Sequence, residues 1–363
     1  MRFKITRSKF LDEIKSVQNI VTSKGSLAIL SNAKLEAASD YIKLTTTDLD
    51  ISIETSVKCE VLEPGASTIP VKLLSNAIIK APEGEVEVAV DETEQATISA
   101  GSARFKIKGK PEQEFPRISS DEEASEYRIL RQVFHEMLRK TAYAASQDDT
   151  RRTLKGVLMS FKDSKLTMVA TDGRRLALVE EEIEFPANCE RDIVLPSKAV
   201  QELLRSVNGE GEAKITVQQS RICIELGQTI IYSKLIDDTY PNYRQVIPQE
   251  CAQEIIIDRQ LLLDALDRAS VMTLDELNST KLIFATNKLV VMSAAEAGEA
   301  QDTVPIKYAG ETNEIMFNPG YVMDPLKAID DDEIVFNLNN GHSPAVIKCS
   351  IPFIYVLMPL RVS

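Results

Sequence analysis

The sequence predicts an α+β fold made of three tandem copies of one unit. Each copy opens with a short strand of alternating apolar residues, then an arginine, then a stretch with helical spacing. These openings begin at Arg2, Glu126 and Glu254. A second strand-and-helix match follows in each copy, and these matches begin at Ser67, Asp192 and Glu314. Because the copies recur at roughly 125 residues, they indicate duplicated domains arranged around an axis, not a solenoid of short repeats.

The first helix of each copy is predicted from apolar residues that recur every three or four positions and so share one face. It follows an arginine, which is Arg7, Arg131 or Arg259 in the three copies. The shared faces consist of Phe10, Ile14, Val17 and Val21, of Phe134, Met137, Leu138 and Thr141, and of Leu262, Leu266 and Ala269. This spacing is typical of an amphipathic helix packed on a core.

The second helix of each copy begins at a residue suited to a helix start. The corresponding positions are Pro70, Pro196 and Asn318. The third copy carries Pro319 after Asn318 and a further proline, Pro325, inside the predicted helix. Since proline has no backbone N–H, Pro325 is expected to remove one hydrogen bond and to kink or shorten this helix.

Short alternating strands fill the rest of each copy, so that two helices accompany about eight strands. The pair Asp172-Gly173 lies between two such strands and predicts a tight turn. Polar, turn-rich linkers are expected at 119–126 and 248–253. The predicted domains therefore span residues 1–120, 126–247 and 253–363.

The composition is that of an acidic globular protein. The 363 residues include 42 basic and 55 acidic side chains, giving a net charge of −13. Such a charge argues against a nucleic-acid binder unless the basic residues gather on one surface. The five cysteines form no close pair, which favours a reduced, cytoplasmic protein without a disulfide frame or a zinc site. Neither a signal segment nor a membrane span is predicted, so a soluble protein is expected.

Four sequence segments carry a resemblance to a known family. They are TTTDLDISI at 45–53, VATDGRRLALV at 169–179, DDTYPNYRQVIP at 237–248 and YVLMPLR at 355–361. In this order, and together with the three repeats, they make the chain resemble the bacterial DNA sliding clamp, the beta subunit of DNA polymerase III. The resemblance covers the whole chain from Met1 to Arg361.

The resemblance implies both a fold and a function. Each chain is expected to form three copies of the DNA-clamp domain, and two chains to close head to tail into a homodimeric ring with helices inside and sheets outside. Such a ring is a processivity factor without catalytic activity, cofactor or metal. Its expected partners are encircled duplex DNA, the catalytic subunit of DNA polymerase III, the clamp loader and other proteins with a clamp-binding motif; no membrane is involved. Because retention on DNA would be topological, an acidic chain can serve this role.

The resemblance also implies contacts with DNA phosphates, which carry no sequence information. The expected residues are Lys24, Lys72, Asp148, Arg151, Arg152 and Lys198. Arg152 stands where relatives often have an aromatic or apolar residue. Further helix cations, including Arg7, Arg131 and Arg139, are also expected to face DNA, although ordinary solvated helix faces carry the same residue types.

A hydrophobic pocket for short partner peptides is implied as a second site. Its expected residues are Leu154, Thr171, Gly173, Arg174, Arg175, Leu176, Pro241, Gln245, Val246, Val356, Met358, Pro359, Leu360 and Arg361. Two or three apolar anchors would each contribute about 1.5–3 kcal/mol on burial. After the cost of association, this predicts exchangeable binding of roughly micromolar strength.

Several pocket positions depart from the family pattern or allow a simpler explanation. Arg174 replaces the histidine of many relatives, and Gln245 replaces an arginine found in some. The chain also continues past Arg361, so its peptide preference is expected to differ from theirs. The alternative is that some of these side chains are simply core, namely Leu154, Leu176 and Val246.

Ring closure is expected through paired edge strands and a small apolar cluster of Phe105, Val271 and Met272. Lysines flank Phe105, and Asp275 and Glu276 follow Met272, so opposite charges favour head-to-tail pairing. The alternative is a monomer whose edge strand is protected by its lysines.

The residues do not favour catalysis. The two histidines, His135 and His342, are far apart in the sequence, and no nucleophile-base pair can be named. Phosphate-loop, nucleophile-elbow and zinc-protease motifs are lacking. The acidic run 330–333 could hold a divalent cation, but acidic residues are also common at helix-to-strand turns. Two alternatives remain, a metal-dependent hydrolase with scattered carboxylates and a tandem-domain adaptor that does not bind DNA.

Overall fold

A computed structural model describes residues 1–21, 27–117, 124–272, 279–295, 298–350 and 352–360. Several sequence predictions lie outside these residues: those for Lys24, Arg361, Asp275 and Glu276, and those for residues 119–123 of the first linker. Backbone contacts divide the chain into two compact units. The first unit comprises Met1–His135 with Gln201–Leu235, and the second Glu136–Val200 with Ile236–Ser363.

Six α-helices lie in the described residues, two in each predicted copy. They are α1 (Arg7–Gln18), α2 (Val71–Lys80), α3 (Arg131–Thr141), α4 (Ser197–Ser206), α5 (Arg259–Ser270) and α6 (Pro319–Ala328). The predicted apolar faces of α1, α3 and α5 are buried, with Phe10, Phe134 and Leu262 all at 0% exposure. This confirms the core sides that the helical spacing indicated. None of these helices is both long and apolar enough to cross a membrane.

The same residues hold nine β-strands before Arg117, eight between Ser125 and Lys234, and eight from Gln253 onward, which confirms about eight strands per copy. The first ten are β1 (Arg2–Thr6), β2 (Asn32–Ala38), β3 (Tyr41–Thr47), β4 (Ile51–Lys58), β5 (Glu60–Glu63), β6 (Gly65–Pro70), β7 (Glu85–Val90), β8 (Gln95–Ala100), β9 (Ala103–Lys108) and β10 (Ser125–Leu130). The next seven are β11 (Gly156–Lys162), β12 (Lys165–Thr171), β13 (Arg175–Glu182), β14 (Arg191–Pro196), β15 (Glu212–Val217), β16 (Arg221–Leu226) and β17 (Thr229–Lys234). The last eight are β18 (Gln253–Asp258), β19 (Thr280–Ala285), β20 (Lys288–Ala295), β21 (Gly298–Pro305), β22 (Asn313–Phe317), β23 (Glu333–Leu338), β24 (Ala345–Lys348) and β25 (Phe353–Leu357).

Two antiparallel sheets form the first unit. One has the order β5-β1-β7-β8-β9, which places β9 at an edge. The other has eight strands in the order β10-β15-β16-β17-β4-β3-β2-β6. It joins strands of the first two copies because β17 pairs with β4, where Ile231 lies opposite Ile53. Both side chains are almost fully buried, so the joint is part of the core.

The second unit follows the same plan. Its larger sheet has the order β14-β11-β12-β13-β25-β24-β23-β18, and the pairing of β13 with β25 joins strands of the last two copies. Its smaller sheet has the order β21-β20-β19-β22, with β21 at an edge. The compact units do not follow the three copies, because strands of neighbouring copies share a sheet. The predicted turn at Asp172-Gly173 joins β12 to β13.

The arginine that begins the first helix of each copy ties that helix to the backbone at or beyond the end of the second helix. The distances from Nε to carbonyl oxygen are 2.9 Å from Arg7 to Ile78, 3.2 Å from Arg131 to Glu212 and 2.7 Å from Arg259 to Asp331. The backbone N–H groups of the same arginines donate to Gly84, Gly211 and Asp332. The guanidinium groups of Arg7 and Arg131 therefore have a structural role, while the expectation that these residues face DNA stays a prediction.

Helix α6 keeps the length of its counterparts despite Pro325. It spans ten residues, as α2 and α4 do, so the predicted shortening is wrong. Because Pro325 lacks an N–H, the carbonyl of Tyr321 has no helical donor. The hydroxyl of Tyr355 donates to that oxygen at 2.7 Å and replaces the lost bond.

Candidate functional site

The centre of the candidate peptide pocket is the pairing of β13 with β25 in the second unit. Leu176 lies opposite Val356, and each is 2% exposed. Both belong to a buried aliphatic cluster on one face of the larger sheet. Their burial agrees with the core role considered for Leu176, and we call this pairing the floor of the candidate pocket.

The chain end is held against this floor. Met358 N donates to Arg174 O at 2.9 Å, and Leu360 N donates to Met316 O at 2.8 Å. Pro359 and Leu360 are half-buried. Apolar residues near a terminus fray unless they are docked, and here two backbone hydrogen bonds dock them.

Two apolar side chains near the floor are exposed. Met358 is 42% exposed and Val246 is 50% exposed. Val246 ends a 3₁₀ turn, Tyr243–Val246, in which Gln245 is also exposed, and exposed Pro241 precedes that turn. Exposed apolar groups next to a buried aliphatic cluster favour a surface that binds apolar ligands, and the flexible thioether of Met358 suits several ligands.

The segment that carries Val246 is anchored by residues that the sequence analysis did not single out. Tyr240, Tyr243 and Ile247 pack against the buried cluster. Burial raises the pKa of the Tyr240 hydroxyl, so it stays protonated. Their signal was present in the sequence, because the segment DDTYPNYRQVIP places two tyrosines, a valine and an isoleucine among polar residues.

The turn between β12 and β13 forms a rigid rim. Asp172 Oδ1 accepts hydrogen bonds from the backbone N–H groups of Arg174 at 2.8 Å and Arg175 at 3.1 Å. Thr171 Oγ1 donates to Arg175 O at 2.5 Å. Gly173 has φ +86°, a conformation that side chains with a Cβ rarely adopt. The turn therefore needs glycine, and it places exposed Arg174 at the pocket edge.

Arg175 is the most heavily engaged cation of the site. Its guanidinium pairs with Asp172 at 3.1 Å and with Asp324. It also lies 4.2 Å from the centre of the Tyr321 ring. Burial alone would lower the pKa of Arg175, but Tyr355 and the Asp324 carboxylate outweigh it and raise that pKa. Arg175 thus fastens the rim to α6 while remaining charged.

Asp324, Tyr321 and Tyr355 are site residues that sequence reasoning missed. Asp324 and Arg175 are 149 positions apart, and no local pattern relates them. Burial raises the pKa of the Tyr355 hydroxyl, so this group remains a hydrogen-bond donor. Only the spacing of four residues between Tyr321 and Pro325 could have indicated that the Tyr321 carbonyl lacks its helical donor.

The loop around residues 146–155 joins the predicted DNA-contact residues to the rim. Asp148 Oδ1 accepts from Thr150 N at 2.9 Å and Thr150 Oγ1 at 2.7 Å, and these bonds lower the pKa of Asp148. Arg151 donates from Nη1 to Asp172 O at 2.9 Å. Half-buried Leu154 lies three residues further on, and its carbonyl oxygen accepts a hydrogen bond from Ser146 N at 2.8 Å. Asp148 therefore shapes the loop, and Arg151 already bonds to the rim.

The remaining predicted DNA-contact residues are exposed cations. Lys72 is exposed on α2, Arg152 is exposed in the loop, and Lys198 is exposed on α4. Several other helix cations pair with acidic neighbours, as Arg139 does with Asp330. Because such pairs partly neutralise the helix cations, the positive charge on these helix surfaces is spread out and not gathered in one patch.

Two of the predicted interface residues, Phe105 and Met272, lie in or beside edge strands, and the third follows a helix. Half-buried Phe105 is in edge strand β9. Val271 is 60% exposed and follows α5. Met272 lies beside the start of edge strand β21, because its Sδ is 3.7 Å from the position a Cβ would take on Gly298. Unpaired edges with apolar side chains are surfaces on which another strand can add.

The acidic run 330–333 has protein partners rather than a metal-like arrangement. Asp330 pairs with Arg139, and Asp331 accepts from Ser350 N at 3.1 Å. Within the described ranges, no group of three or more metal-ligating side chains is close enough to hold a metal ion.

Comparison with known proteins gives one consistent family. Models of the DNA polymerase III beta subunit match in three places: the N-terminal domain at residues 1–119, the central domain at 128–242 and the C-terminal domain at 244–361. The beta sliding clamp of Chlamydia muridarum is 30% identical over 362 residues, covering 99% of each chain.

Solved structures give the same result. A sliding clamp, DNA polymerase III subunit beta, from Bartonella birtlesii bound to griselimycin has a TM-score of 0.95 and 31% identity, covering 100% of both chains. The beta sliding clamp of C. crescentus, with polyethylene glycol bound to a proposed beta-motif tethering region, has a TM-score of 0.93 and 30% identity. It covers 100% of this chain and 99% of that one.

Proposed function

The chain belongs to the family of the DNA polymerase III beta subunit, the bacterial beta sliding clamp, and from this premise we propose how it holds DNA and its partners. It is a non-catalytic processivity factor of DNA replication with three tandem clamp domains. The observation that carries this conclusion is the agreement with relatives over the whole chain, in sequence and in fold. The domain limits proposed from the sequence are 1–120, 126–247 and 253–363, and the three family matches support them.

Two chains close head to tail into a ring around duplex DNA. Edge strand β9 of one chain would add to edge strand β21 of its partner. Charge supports this choice, since β9 carries Arg104, Lys106 and Lys108 whereas β21 carries Glu299 and Asp302. Phe105 with Val271 and Met272 supplies the apolar part of the contact. Such a ring would act on chromosomal DNA in the bacterial cytoplasm.

Contacts with DNA are made by exposed cations that neutralise phosphates without reading bases. Lys72, Arg151, Arg152 and Lys198 fill this role, and Lys24 is proposed from the family resemblance alone. Asp148 contributes indirectly, because its carboxylate holds the loop and lies 3.7 Å from Arg151. A small number of such contacts permits sliding, because no single contact is tight.

Partner proteins bind through a short peptide at the candidate pocket. The floor formed by Leu176 and Val356 and the exposed Val246 and Met358 would receive apolar anchors, while Arg174 and Gln245 set the polarity of the rim. The proposed partners are the catalytic subunit of DNA polymerase III, the clamp loader and other proteins with a clamp-binding motif. Since they share one pocket, they bind in turn.

Light scattering and a retention assay test the function together. A dimer has a mass of about 81 kDa, twice the 40.3 kDa of one chain, and should persist on dilution. After loading by a clamp loader onto nicked circular DNA, the protein should stay bound at high salt and leave when a restriction enzyme linearises the circle. A stable monomer, or equal retention on linear and circular DNA, would exclude the encircling mechanism.

A further inference from the structure

The strand pairing that forms the floor of the peptide pocket continues beyond the ends of β13 and β25. Two positions from the pair Leu176 and Val356, Arg174 lies opposite Met358, and Met358 N donates to Arg174 O at 2.9 Å. Because side chains alternate between the two faces of a sheet, these two pairs share one face. Along the strands, Arg174 is roughly 7 Å from the floor.

The side chain of Arg174 is exposed and unpaired. Among the residues that the structure describes, none forms a hydrogen bond or an ion pair with its guanidinium. The carboxylate nearest to it in the sequence, Asp172, is already occupied. One oxygen accepts from the backbone N–H groups of Arg174 and Arg175, and the other pairs with Arg175 Nε at 3.1 Å. The edge of the pocket therefore carries a positive charge that Asp172 does not neutralise.

A second guanidinium lies at the same edge. Arg151 Nη1 donates to Asp172 O at 2.9 Å and is 2.9 Å from the position that a Cβ would take on Gly173. The carboxylate of Asp148 lies 3.7 Å from Arg151 and accepts hydrogen bonds from Thr150. Two arginines thus border Gly173, and the one without a protein partner is the one opposite Met358.

The corresponding turn of the first copy, between β3 and β4, has the same backbone pattern and a different charge arrangement. Asp48 Oδ1 accepts from the N–H groups of Asp50 at 3.0 Å and Ile51 at 2.7 Å. Lys234 N donates to Asp50 O at 2.9 Å, and its Nζ lies 3.0 Å from Asp50 Oδ1. The residue at this position of the first turn is therefore neutralised by the residue opposite it. At the peptide pocket, Arg174 faces an uncharged methionine, so its charge remains available.

We propose that Arg174 sets the charge preference of the peptide pocket by pairing with a carboxylate of the bound segment. This rests on the peptide pocket of the proposed function. An extended segment advances about 3.3 Å per residue, so the carboxylate lies about two residues from the apolar anchor on the floor. It belongs to an acidic side chain or to the carboxyl end of the segment, since both offer two oxygens to a guanidinium. Because Arg174 is exposed, the pair contributes selectivity more than affinity.

Fluorescence anisotropy with the full-length protein tests the proposal. The parent probe is the clamp-binding motif of the polymerase III catalytic subunit from the same genome, with each residue that flanks the apolar anchors changed in turn to aspartate or asparagine. These two side chains have nearly the same shape, so the ratio of their dissociation constants isolates the charge. At one position, aspartate should bind about three- to fivefold more tightly at low salt, and high salt should screen most of this preference. The same probe with a free or an amidated carboxyl end distinguishes the two sources of the carboxylate.

Variants of the protein assign the preference to one side chain. Arg174→Gln removes the charge and should bring the ratio to about one, whereas Arg174→Lys keeps the charge and should retain most of the preference. Arg117→Gln, at an exposed arginine of the first unit, is the matched control and should leave the ratio unchanged. No preference for a carboxylate in the unaltered protein, or a preference that survives Arg174→Gln, would overturn the proposal. Failure of every probe to bind the unaltered protein would instead overturn the peptide pocket of the proposed function.

Discussion

The hydrogen bond from Tyr355 to the Tyr321 carbonyl offers a sharp test of how α6 tolerates its internal proline. Tyr355→Phe removes only the hydroxyl and leaves the ring, which is fully buried. The Tyr321 oxygen then has neither a helical donor nor the hydroxyl. A buried acceptor left without a partner costs about 1–3 kcal/mol. Since about 1.4 kcal/mol corresponds to a factor of ten, amides of α6 should exchange roughly 5- to 150-fold faster with deuterium.

A second substitution separates this bond from the other contacts of Tyr355. Pro325→Ala restores a backbone N–H at the position that normally bonds to Tyr321 O. In that background the hydroxyl becomes redundant for the helix, so Tyr355→Phe should accelerate exchange much less than it does beside Pro325. The interaction of Tyr355 with Arg175 is lost in both backgrounds and therefore cancels in the comparison.

Hydrogen exchange followed by mass spectrometry on fragments covering 313–330 reads out the effect locally. A local probe is preferable, because a chain of several domains does not unfold in one step. Fragments covering α2 serve as an internal control and should exchange at unchanged rates. Equal acceleration in the proline and alanine backgrounds would refute the reasoning, since the hydroxyl would then act through Arg175 alone.

Three further outcomes are expected. Removal of residues 358–363 should weaken partner-peptide binding at least tenfold in anisotropy and leave the circular dichroism spectrum unchanged, because the cut spares buried Leu357; a lost spectrum would make the tail structural. Phe105→Ala combined with Met272→Ala should shift light scattering towards the monomer on dilution, and an unchanged dimer would exclude this interface. Burial, and to a lesser extent the negative charge of Glu225, raises the pKa of the Cys223 thiol to about 11. Its thiol should stay protonated at pH 8 and react with iodoacetamide about a hundredfold more slowly than an exposed thiol, whereas fast labelling would contradict its burial.

Periodicity predicted the core of this protein well. The apolar faces of α1, α3 and α5 could be assigned from spacing alone, because a residue every three or four positions must lie on one side of a helix. The same spacing could not reveal that neighbouring copies share sheets, since the pairing of β17 with β4 joins residues far apart in the sequence. Strand pairing of this kind depends on the whole fold rather than on local pattern.

The candidate site likewise contains residues that the sequence could predict and residues that it could not. Leu176, Val246 and Met358 could be named because they lie in segments that resemble the family. Asp324 could not, because an aspartate inside a helix is ordinary until Arg175 is found beside it. The structural role of Arg7 could not be predicted for a related reason: its position at a helix start was visible, but its acceptors include the backbone carbonyls of Ile78 and Ile79, which no side-chain pattern records.

The arginine at the start of the first helix in each copy bonds mainly to backbone carbonyls, and Arg7 also pairs with the Glu83 carboxylate. Gly84, Gly211 and Asp332 receive the same N–H bond although their side chains differ. The receiving position still constrains the sequence, because Gly84 has φ +122° and Gly211 has φ +102°, conformations that residues with a Cβ rarely adopt. The third copy has Asp332 at this position because the chain there does not take a positive φ, so the duplicated copies can differ here only where the chain path allows a side chain.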